Sequence, residues 1–130
     1  MGMGARAWVD LIHQITSLVF TKCNIIIDSA NNGVFSPFGK LASIGINIQK
    51  GVSTHGVSMN VHNDLEDFKK IVPCGTLGQP FDKIDRYQPL TTQEVFSLWC
   101  DYFIATLNEQ MPRVSLDIKK STLVAPPNHL

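Results

Sequence analysis

The chain is poor in charged residues and in cysteine, and its acidic and basic side chains balance. Only 17% of the 130 residues are charged, and 11 lysines and arginines oppose 11 aspartates and glutamates, so the formal net charge is zero. A protein that binds nucleic acid through phosphate contacts needs a basic surface, so we expect no nucleic-acid partner. The three cysteines show no Cys-x-x-Cys spacing, which favours a reducing compartment over a disulfide framework.

Long apolar runs and targeting segments are also missing. No apolar stretch approaches the length of about 20 residues that a membrane-spanning helix needs. The first residues, MGMGARAWVDLIHQ, have neither the apolar region of a secretory signal nor the Arg- and Ser-rich composition of a transit peptide. Arg6 stands where the myristoylation pattern requires Ser or Thr. The sequence therefore predicts no membrane partner and no lipid anchor.

What is present suits one folded domain over residues 1–130, because 44% of the residues are hydrophobic and two segments have helical periodicity. The segment 7–23 predicts an amphipathic helix. Thr91 and Glu94 have the spacing of a capping box and predict that a second helix starts there. The apolar positions of the two helices are Trp8, Leu11, Ile12, Ile15, Leu18 and Val19, and Val95, Leu98, Trp99, Tyr102, Phe103 and Leu107. Residues 111–130 are expected to form a loose tail.

Between the helices the sequence predicts mainly strands. Ile25–Ile27 favour a strand because they are β-branched, and the stretch SANNGVFSPFG reads as a turn-rich loop. Apolar and polar residues then alternate in KLASIGINIQKG and again in VSTHGVSMNVH, which predicts an antiparallel hairpin. Gly45 and Gly56 lie inside these two strands. One such glycine would indicate a bulge, but two on facing strands favour a surface that a ligand approaches closely.

The next part of the chain is less regular. NDLEDFKK predicts a short helix with Asn63 or Asp64 as its cap. Residues 75–90 contain Gly78, Pro80 and Pro89 and predict an irregular loop.

The cysteines fall into two groups. Cys23 and Cys100 lie beside apolar helix positions, which predicts buried, inert thiols. Cys74 lies between Pro73 and Gly75, on a sharp turn whose backbone N–H groups can converge. The residues alone leave a packing role and a reactive role equally open for Cys74. His55 makes a Cys/His pair conceivable, whereas no ligand spacing supports zinc.

Three consecutive stretches together carry a resemblance to a known family. GKLASIGI, VSTHGVSMNV and DLEDFKKIVPCG resemble, in this order, the signatures of the lipoyl(octanoyl)transferases, which are octanoyl-[acyl-carrier-protein]:protein transferases. The 34-residue interval from Lys40 to Cys74 matches that family's interval between its essential lysine and its nucleophilic cysteine. The firm resemblance covers residues 38–76. It implies the α/β (α+β) catalytic fold of the biotin and lipoate protein ligases.

The resemblance also implies roles for particular residues. Cys74 matches the nucleophile that forms an acyl thioester, and Lys40 matches the lysine that lowers the pKa of that cysteine and exchanges protons. Two strand segments match the substrate-binding positions of the family. They are Ser43, Ile44 and Gly45 in the first strand, and Gly56, Val57 and Ser58 in the second, with His55 in the family's His-Gly element just before them.

The implied reaction is the first step of lipoate assembly on proteins. An octanoyl group would pass from octanoyl-acyl carrier protein to Cys74. It would then pass to a lysine of the lipoyl domains of 2-oxoacid dehydrogenase complexes or of the glycine cleavage H protein. No cofactor or metal is expected, because the substrate is already activated as a thioester. The compartment implied is the mitochondrion for a eukaryotic source and the cytoplasm for a bacterial one.

The sequence departs from the family in one respect. The family's RGG…YHGPGQ type of motif, which binds the acyl group and the pantetheine arm, does not occur in these 130 residues. We therefore expect a protein truncated at the N-terminus. The alternatives are a diverged, non-catalytic module that binds lipoyl domains or acyl carrier protein, and a half-site that another chain completes. A ligase that activates the free acid with ATP is a further alternative.

Overall fold

The described part of the chain forms two helices and one antiparallel sheet, as the predicted α+β class requires. The computed structural model describes residues 4–30, 33–70 and 80–110. The helices are α1, Ala5–Lys22, and α2, Thr92–Gln110, and the strands are β1, Asp28–Ala30, β2, Gly33–Ser36, β3, Gly39–Gln49, and β4, Val52–Met59. Two short 3₁₀ helices span Leu65–Lys70 and Ile84–Arg86. The strands are hydrogen-bonded in chain order, β1-β2-β3-β4.

Helix α1 confirms the predicted helix and covers one face of the sheet, contacting β2, β3 and β4. Its apolar stripe is buried because helical spacing brings positions three and four apart onto one side. The stripe consists of Leu11, Ile12, Ile15, Val19 and Phe20, with the polar Thr16 buried among them.

The end of α1 shows why the strand predicted at Ile25–Ile27 is wrong. Asn24 has a φ of 61°, and Asn24 N–H donates to the carbonyl of Thr21 while Ile25 N–H donates to that of Phe20. This is a Schellman ending with asparagine in the left-handed position. Ile25 is buried beside Phe20 in the core, whereas the strand β1 begins only at Asp28.

Helix α2 confirms the second predicted helix, and Glu94 N–H donates to the Thr91 hydroxyl at 3.1 Å as the capping box requires. The helix packs mainly on α1. Trp99 stacks on Phe103 at a centroid distance of 5.1 Å and donates from Nε1 to the Thr16 hydroxyl at 3.1 Å. None of the helices in the described ranges has the length and apolar character needed to cross a membrane.

The predicted hairpin is confirmed as β3 and β4, whereas the turn-rich loop before it also contains β2. The hairpin turn is two residues long: Lys50 and Gly51 have φ values of 52° and 76°, which match the type I′ turn that suits the twist of a hairpin. Ala42 and Ile44 are buried under α1, and Val57 and Met59 pack against the same core. The core therefore lies between the helices and one face of the sheet.

The segments after the hairpin return to the sheet. Asp64 accepts a hydrogen bond from Glu66 N–H at 2.9 Å, which confirms the predicted cap of the Leu65–Lys70 helix. The predicted irregular loop 75–90 is described from residue 80 onward. There it contains a parallel bridge between Phe81 and Lys40 and the 3₁₀ helix Ile84–Arg86.

Candidate active site on the polar face of the sheet

The sheet face opposite the helices carries small and polar residues at three neighbouring positions of the hairpin. The register pairs Ser43 with Ser58, Gly45 with Gly56, and Asn47 with Thr54. We call these six residues the polar face. A Cβ atom built on Gly45 or on Gly56 would meet no atom of residues 4–30, 33–70 and 80–110 within 4 Å. The two glycines therefore lie directly opposite each other and leave space above the backbone.

A β-bulge determines on which face the side chain of Lys40 lies. Val34 pairs with Ala42 and Phe35 pairs with Lys40, so Leu41 is an extra residue in β3. Strict alternation would put Lys40 on the same face as Ala42, which is in the core. The extra residue reverses this, because a bulge re-aims the side chains that flank it.

The contacts of the Lys40 side chain agree with this orientation. Its Nζ lies 5.7 Å from the centroid of the Phe35 ring, a distance compatible with a cation–π contact. A Cβ added to Gly33 would come within 2.6 Å of Lys40 Cε, and Gly33 pairs with Ser43. Lys40 is 2% exposed. The ammonium group is therefore placed on the side of the polar face and is shielded from bulk water.

The backbone of Lys40 is held by the segment that follows residue 79. Lys40 N–H donates to the carbonyl of Pro80 at 2.9 Å, and Asp82 N–H donates to the carbonyl of Lys40, also at 2.9 Å. The side-chain amide of Asn60 donates to the same Lys40 carbonyl at 3.3 Å. Both backbone groups of Lys40 are thus engaged outside the hairpin.

The Asp82 side chain is fully buried and accepts several hydrogen bonds. The hydroxyls of Ser36 and Tyr87 both donate to Oδ2 at 2.5 Å, and Lys83 N–H donates to Oδ1 at 2.9 Å. Arg86 Nε lies 3.3 Å from Oδ1. The pKa of Tyr87 is raised above its ordinary value, first by burial and then by its hydrogen bond to the carboxylate. The phenol therefore remains a donor at neutral pH.

The remaining predicted site residues have different placements. The side chain of Ile44 lies in the core, and the side chain of Val57 packs against the core. These two residues can therefore contact a ligand on the polar face only through their backbone. The register pairs His55 with Ile46, and the His55 side chain lies outside the described part of the chain. Cys74 also lies outside it, in the segment 71–79, and its role stays a prediction.

The other two cysteines are buried, as predicted. Cys23 is 3% exposed and Cys100 is 2% exposed, and burial raises the pKa of the Cys23 thiol. Within residues 4–30, 33–70 and 80–110, no cluster of three or more histidine, cysteine, aspartate or glutamate side chains is arranged to hold a metal ion.

Two features of this region were not predicted from the sequence: the bulge at Leu41 and the hydrogen bonds of Asp82. The alternation of β3 conceals the bulge, because Lys40 continues the series of Ala42 and Ile44. The network of Asp82 joins Ser36, which is 46 residues earlier, to a short 3₁₀ helix. A spacing this long gives no local signal.

Known proteins resemble the chain over most of its length. Residues 8–104 match the model of the protein family described as lipoyl protein ligase A/B catalytic domain. An octanoyltransferase of Pelobacter propionicus is 39% identical over 113 residues, which are 79% of this chain and 54% of that protein. An octanoyltransferase of Escherichia coli O139:H28 is 32% identical over 111 residues, 82% of this chain and 51% of that protein. The chain thus spans about half the length of these curated relatives.

Proposed function

Because this chain belongs to the lipoyl protein ligase A/B catalytic domain family, we propose that its protein transfers an octanoyl group to lysine side chains during protein lipoylation. The observation that carries the proposal is the 39% identity to an octanoyltransferase over 79% of this chain. The donor in the proposal is octanoyl-acyl carrier protein. The acceptors are the lipoyl domains of 2-oxoacid dehydrogenase complexes and the glycine cleavage H protein.

The proposed reaction has two acyl transfers. In the first, the Cys74 thiolate attacks the thioester carbonyl of the donor, a new carbon–sulfur bond forms, and the bond to the donor sulfur breaks. The released thiolate takes up a proton. In the second, the ε-amine of the acceptor lysine attacks the acyl-cysteine, an amide bond forms, and the Cys74 thiolate leaves. The amine gives up a proton to a base, so atoms and charges balance without an oxidant or a reductant.

Lys40 is the proposed partner of Cys74. A cationic neighbour favours the thiolate form of a cysteine, and the thiolate is the nucleophile. After losing its proton, the same amine can accept one from the attacking lysine. The burial of Lys40 and its position beside the polar face support these roles, because a shielded ammonium acts more strongly on its neighbours than a solvated one.

The polar face is the proposed surface for the acyl chain. Among the described residues, none fills the space over Gly45 and Gly56 on the two paired strands, and a chain that lies against a backbone needs positions without side chains. Neither a metal nor a nucleotide is required in this proposal, since the donor thioester supplies the activation.

Covalent acylation of Cys74 tests the proposed function. The purified chain is incubated with octanoyl-acyl carrier protein, and intact-mass spectrometry is expected to show one added octanoyl group. Because the chain spans about half of its relatives, a chimera that joins it to the remaining part of a curated octanoyltransferase is tested in parallel. Cys74→Ser in either form is expected to abolish the thioester.

The outcomes separate the alternatives. Acylation of the chimera but not of the chain alone locates the missing binding surface in the added part. Acylation by free octanoate that depends on ATP would indicate a ligase. If neither form is acylated while both bind the carrier protein, the chain is a binding module and the proposed transfer is wrong.

A side chain at Gly45 is expected to block the acyl surface without harming the fold. Gly45→Val adds a β-branched residue at a position where no atom of the described part of the chain lies within 4 Å of the new Cβ, and such residues suit strands. The variant is made in whichever form, the chain alone or the chimera, is acylated at Cys74. We expect its rate of Cys74 acylation to fall about tenfold, because a misplaced substrate loses its reactive geometry. The rate is measured by quenched time courses and intact mass.

Gln49→Val is the matched control for this variant. Gln49 is an exposed residue at the far end of the same strand, so its replacement adds a similar side chain away from the glycine pair. Acylation of Gln49→Val is expected at the unmodified rate. An unchanged rate for Gly45→Val would show that the acyl chain does not lie over the paired glycines.

A further inference from the structure

The carboxylate of Asp82 is a buried charge that the proposed reaction does not use. It is 0% exposed, and burying a charge costs free energy unless donors compensate it. The compensation consists of the hydroxyls of Ser36 and Tyr87, the N–H of Lys83 and the guanidinium of Arg86. Such an arrangement is expected to hold a particular part of the backbone in place.

The residue that it holds is Lys40. Asp82 N–H donates to the carbonyl of Lys40 at 2.9 Å, and two residues earlier the Pro80 carbonyl accepts from Lys40 N–H. The contact is so close that a Cβ on Gly39 would lie 2.7 Å from the carbonyl carbon of Pro80. The segment 80–82 therefore fixes the start of β3 through its backbone, while the carboxylate of Asp82 anchors that segment.

Ser36 connects the same carboxylate to the turn that leads into β3. Its hydroxyl donates to Asp82 Oδ2 at 2.5 Å and accepts from Phe38 N–H at 3.1 Å. The turn from Ser36 to Gly39 immediately precedes Lys40. The Asp82 carboxylate thus holds in place both the turn that precedes Lys40 and the segment 80–82, which is hydrogen-bonded to the Lys40 backbone.

The bulge explains why Lys40 needs such fastening. If Leu41 paired regularly with β2 and formed no bulge, strict alternation would put the Lys40 side chain on the core face together with Ala42, since a shift of one residue moves a side chain to the other side of a sheet. Strand β4 does not decide between the regular and the bulged form at Lys40, because the N–H and the carbonyl of Lys40 both form hydrogen bonds outside the β3–β4 hairpin.

We propose that Asp82 is a positioning residue, whose hydrogen bonds with Ser36 and Tyr87 keep the backbone of Lys40 in the bulged form and its ammonium on the side of the polar face. This inference rests on the proposed function, since it assumes that the Lys40 ammonium acts on Cys74. In this inference Asp82 affects the reactivity of Cys74 through Lys40, and no direct contact between Asp82 and Cys74 is required.

The test uses the rate at which iodoacetamide alkylates Cys74, measured as a function of pH by peptide mass spectrometry on the whole chain. Asp82→Asn keeps the shape of the side chain and removes its charge. We expect the pH midpoint of alkylation to move upward and the rate at pH 7 to fall about threefold, because a displaced ammonium favours the thiolate less. Tyr87→Phe removes one donor only and is expected to shift the midpoint less, in the same direction.

Thr16→Val is the control for a merely structural effect. Thr16 is 0% exposed and accepts a hydrogen bond from Trp99 Nε1 at 3.1 Å, so its replacement also removes a buried hydrogen bond, between the two helices. We expect Thr16→Val to lower the thermal midpoint of unfolding and to leave the pH midpoint of Cys74 alkylation unchanged.

Combination with Lys40→Met distinguishes failure of this inference from failure of the proposed function. If Asp82 acts through Lys40, Asp82→Asn adds no further shift in the Lys40→Met background. A shift with Lys40→Met but none with Asp82→Asn or Tyr87→Phe overturns the inference alone, as does a full additional shift in the double variant. If Lys40→Met itself has no effect, the role proposed for Lys40 is wrong and Asp82 has nothing to position.

Discussion

Lys40→Met is expected to raise the pH midpoint of Cys74 alkylation toward the ordinary thiol value of about 8.5 and to slow alkylation at pH 7 about tenfold. The reason is the loss of the cation that favours the thiolate. Methionine is unbranched and adapts to irregular space, so it can occupy the position of a side chain that is 2% exposed. The variant therefore removes the charge while filling much of the same volume.

Peptide mass spectrometry makes this measurement specific to Cys74. Cys23 and Cys100 are buried, and the raised pKa of Cys23 keeps its thiol protonated at neutral pH. Both are therefore expected to react slowly in the folded protein. Each of the three cysteines is followed separately, so a rise in the reactivity of Cys23 or Cys100 reveals unfolding.

Lys83→Met controls for the loss of a lysine charge in the same part of the molecule. Lys83 is half-buried, and its ammonium donates to the carbonyl of Asn63 at 3.3 Å. Its replacement is expected to leave the pH midpoint of Cys74 unchanged. Equal shifts from Lys40→Met and Lys83→Met would mean that overall charge, not a specific neighbour, governs the cysteine, and the proposed pairing would then be wrong.

The parts of the fold predicted correctly are those with strong periodicity. The stripe of α1 and the alternation of β3 repeat over enough residues for the burial pattern to determine the element. The capping box at Thr91 and Glu94 fixed the start of α2 within one residue, since its hydrogen bond is local. In each of these cases the interaction that forms the element lies within the segment itself.

The incorrect predictions come from interactions that override a local preference. Three isoleucines favour a strand, but Asn24 adopts a left-handed conformation and Ile25 closes the end of α1 over the core. Strand β2 forms although its stretch of the sequence carries turn residues, because pairing with β1 and β3 supplies its hydrogen bonds. Propensity is a weak signal where tertiary pairing decides the outcome.

The candidate site shows the same division. The paired glycines were predicted from the alternation of two strands, and the structure places them opposite each other. The roles of Lys40 and Cys74 came from the resemblance, since alternation alone assigns Lys40 to the core face. The bulge that reverses this depends on the register of β3 with β2 and on hydrogen bonds to the segment 80–82, which comes much later in the chain. The alternation of β3 alone gives no signal of either.

Gly33→Ala is expected to be among the most destabilising single substitutions in the described part of the chain. A Cβ at this position would lie 2.3 Å from the carbonyl oxygen of Ala42 and 2.6 Å from Lys40 Cε. The lysine can move, but the carbonyl belongs to the neighbouring strand and cannot move without separating β2 from β3. We expect a loss of about 3 kcal/mol or more in the free energy of unfolding, measured by urea denaturation.

Gly39→Ala is expected to lower the free energy of unfolding by a comparable amount, through backbone strain as well as steric overlap. Gly39 has a φ of +152°, and its Cβ would lie 2.7 Å from the carbonyl carbon of Pro80 and 2.8 Å from backbone atoms of Phe81. Backbone strain therefore adds to the steric overlap. Because both substitutions displace the surroundings of Lys40, the folded fraction of each variant is also expected to lose the low pH midpoint of Cys74 alkylation.

Gly45→Ala is the control that separates these effects from the general cost of replacing glycine. Its Cβ would meet none of the residues that the structure describes within 4 Å, so the free energy of unfolding is expected to change by no more than about 0.5 kcal/mol. A stable Gly33→Ala protein with an unchanged pH midpoint would mean that β2 does not pack against Lys40 as closely as described. Loss of stability with Gly45→Ala would mean that the space over the glycine pair is occupied by the protein itself, which would exclude it as a surface for the acyl chain.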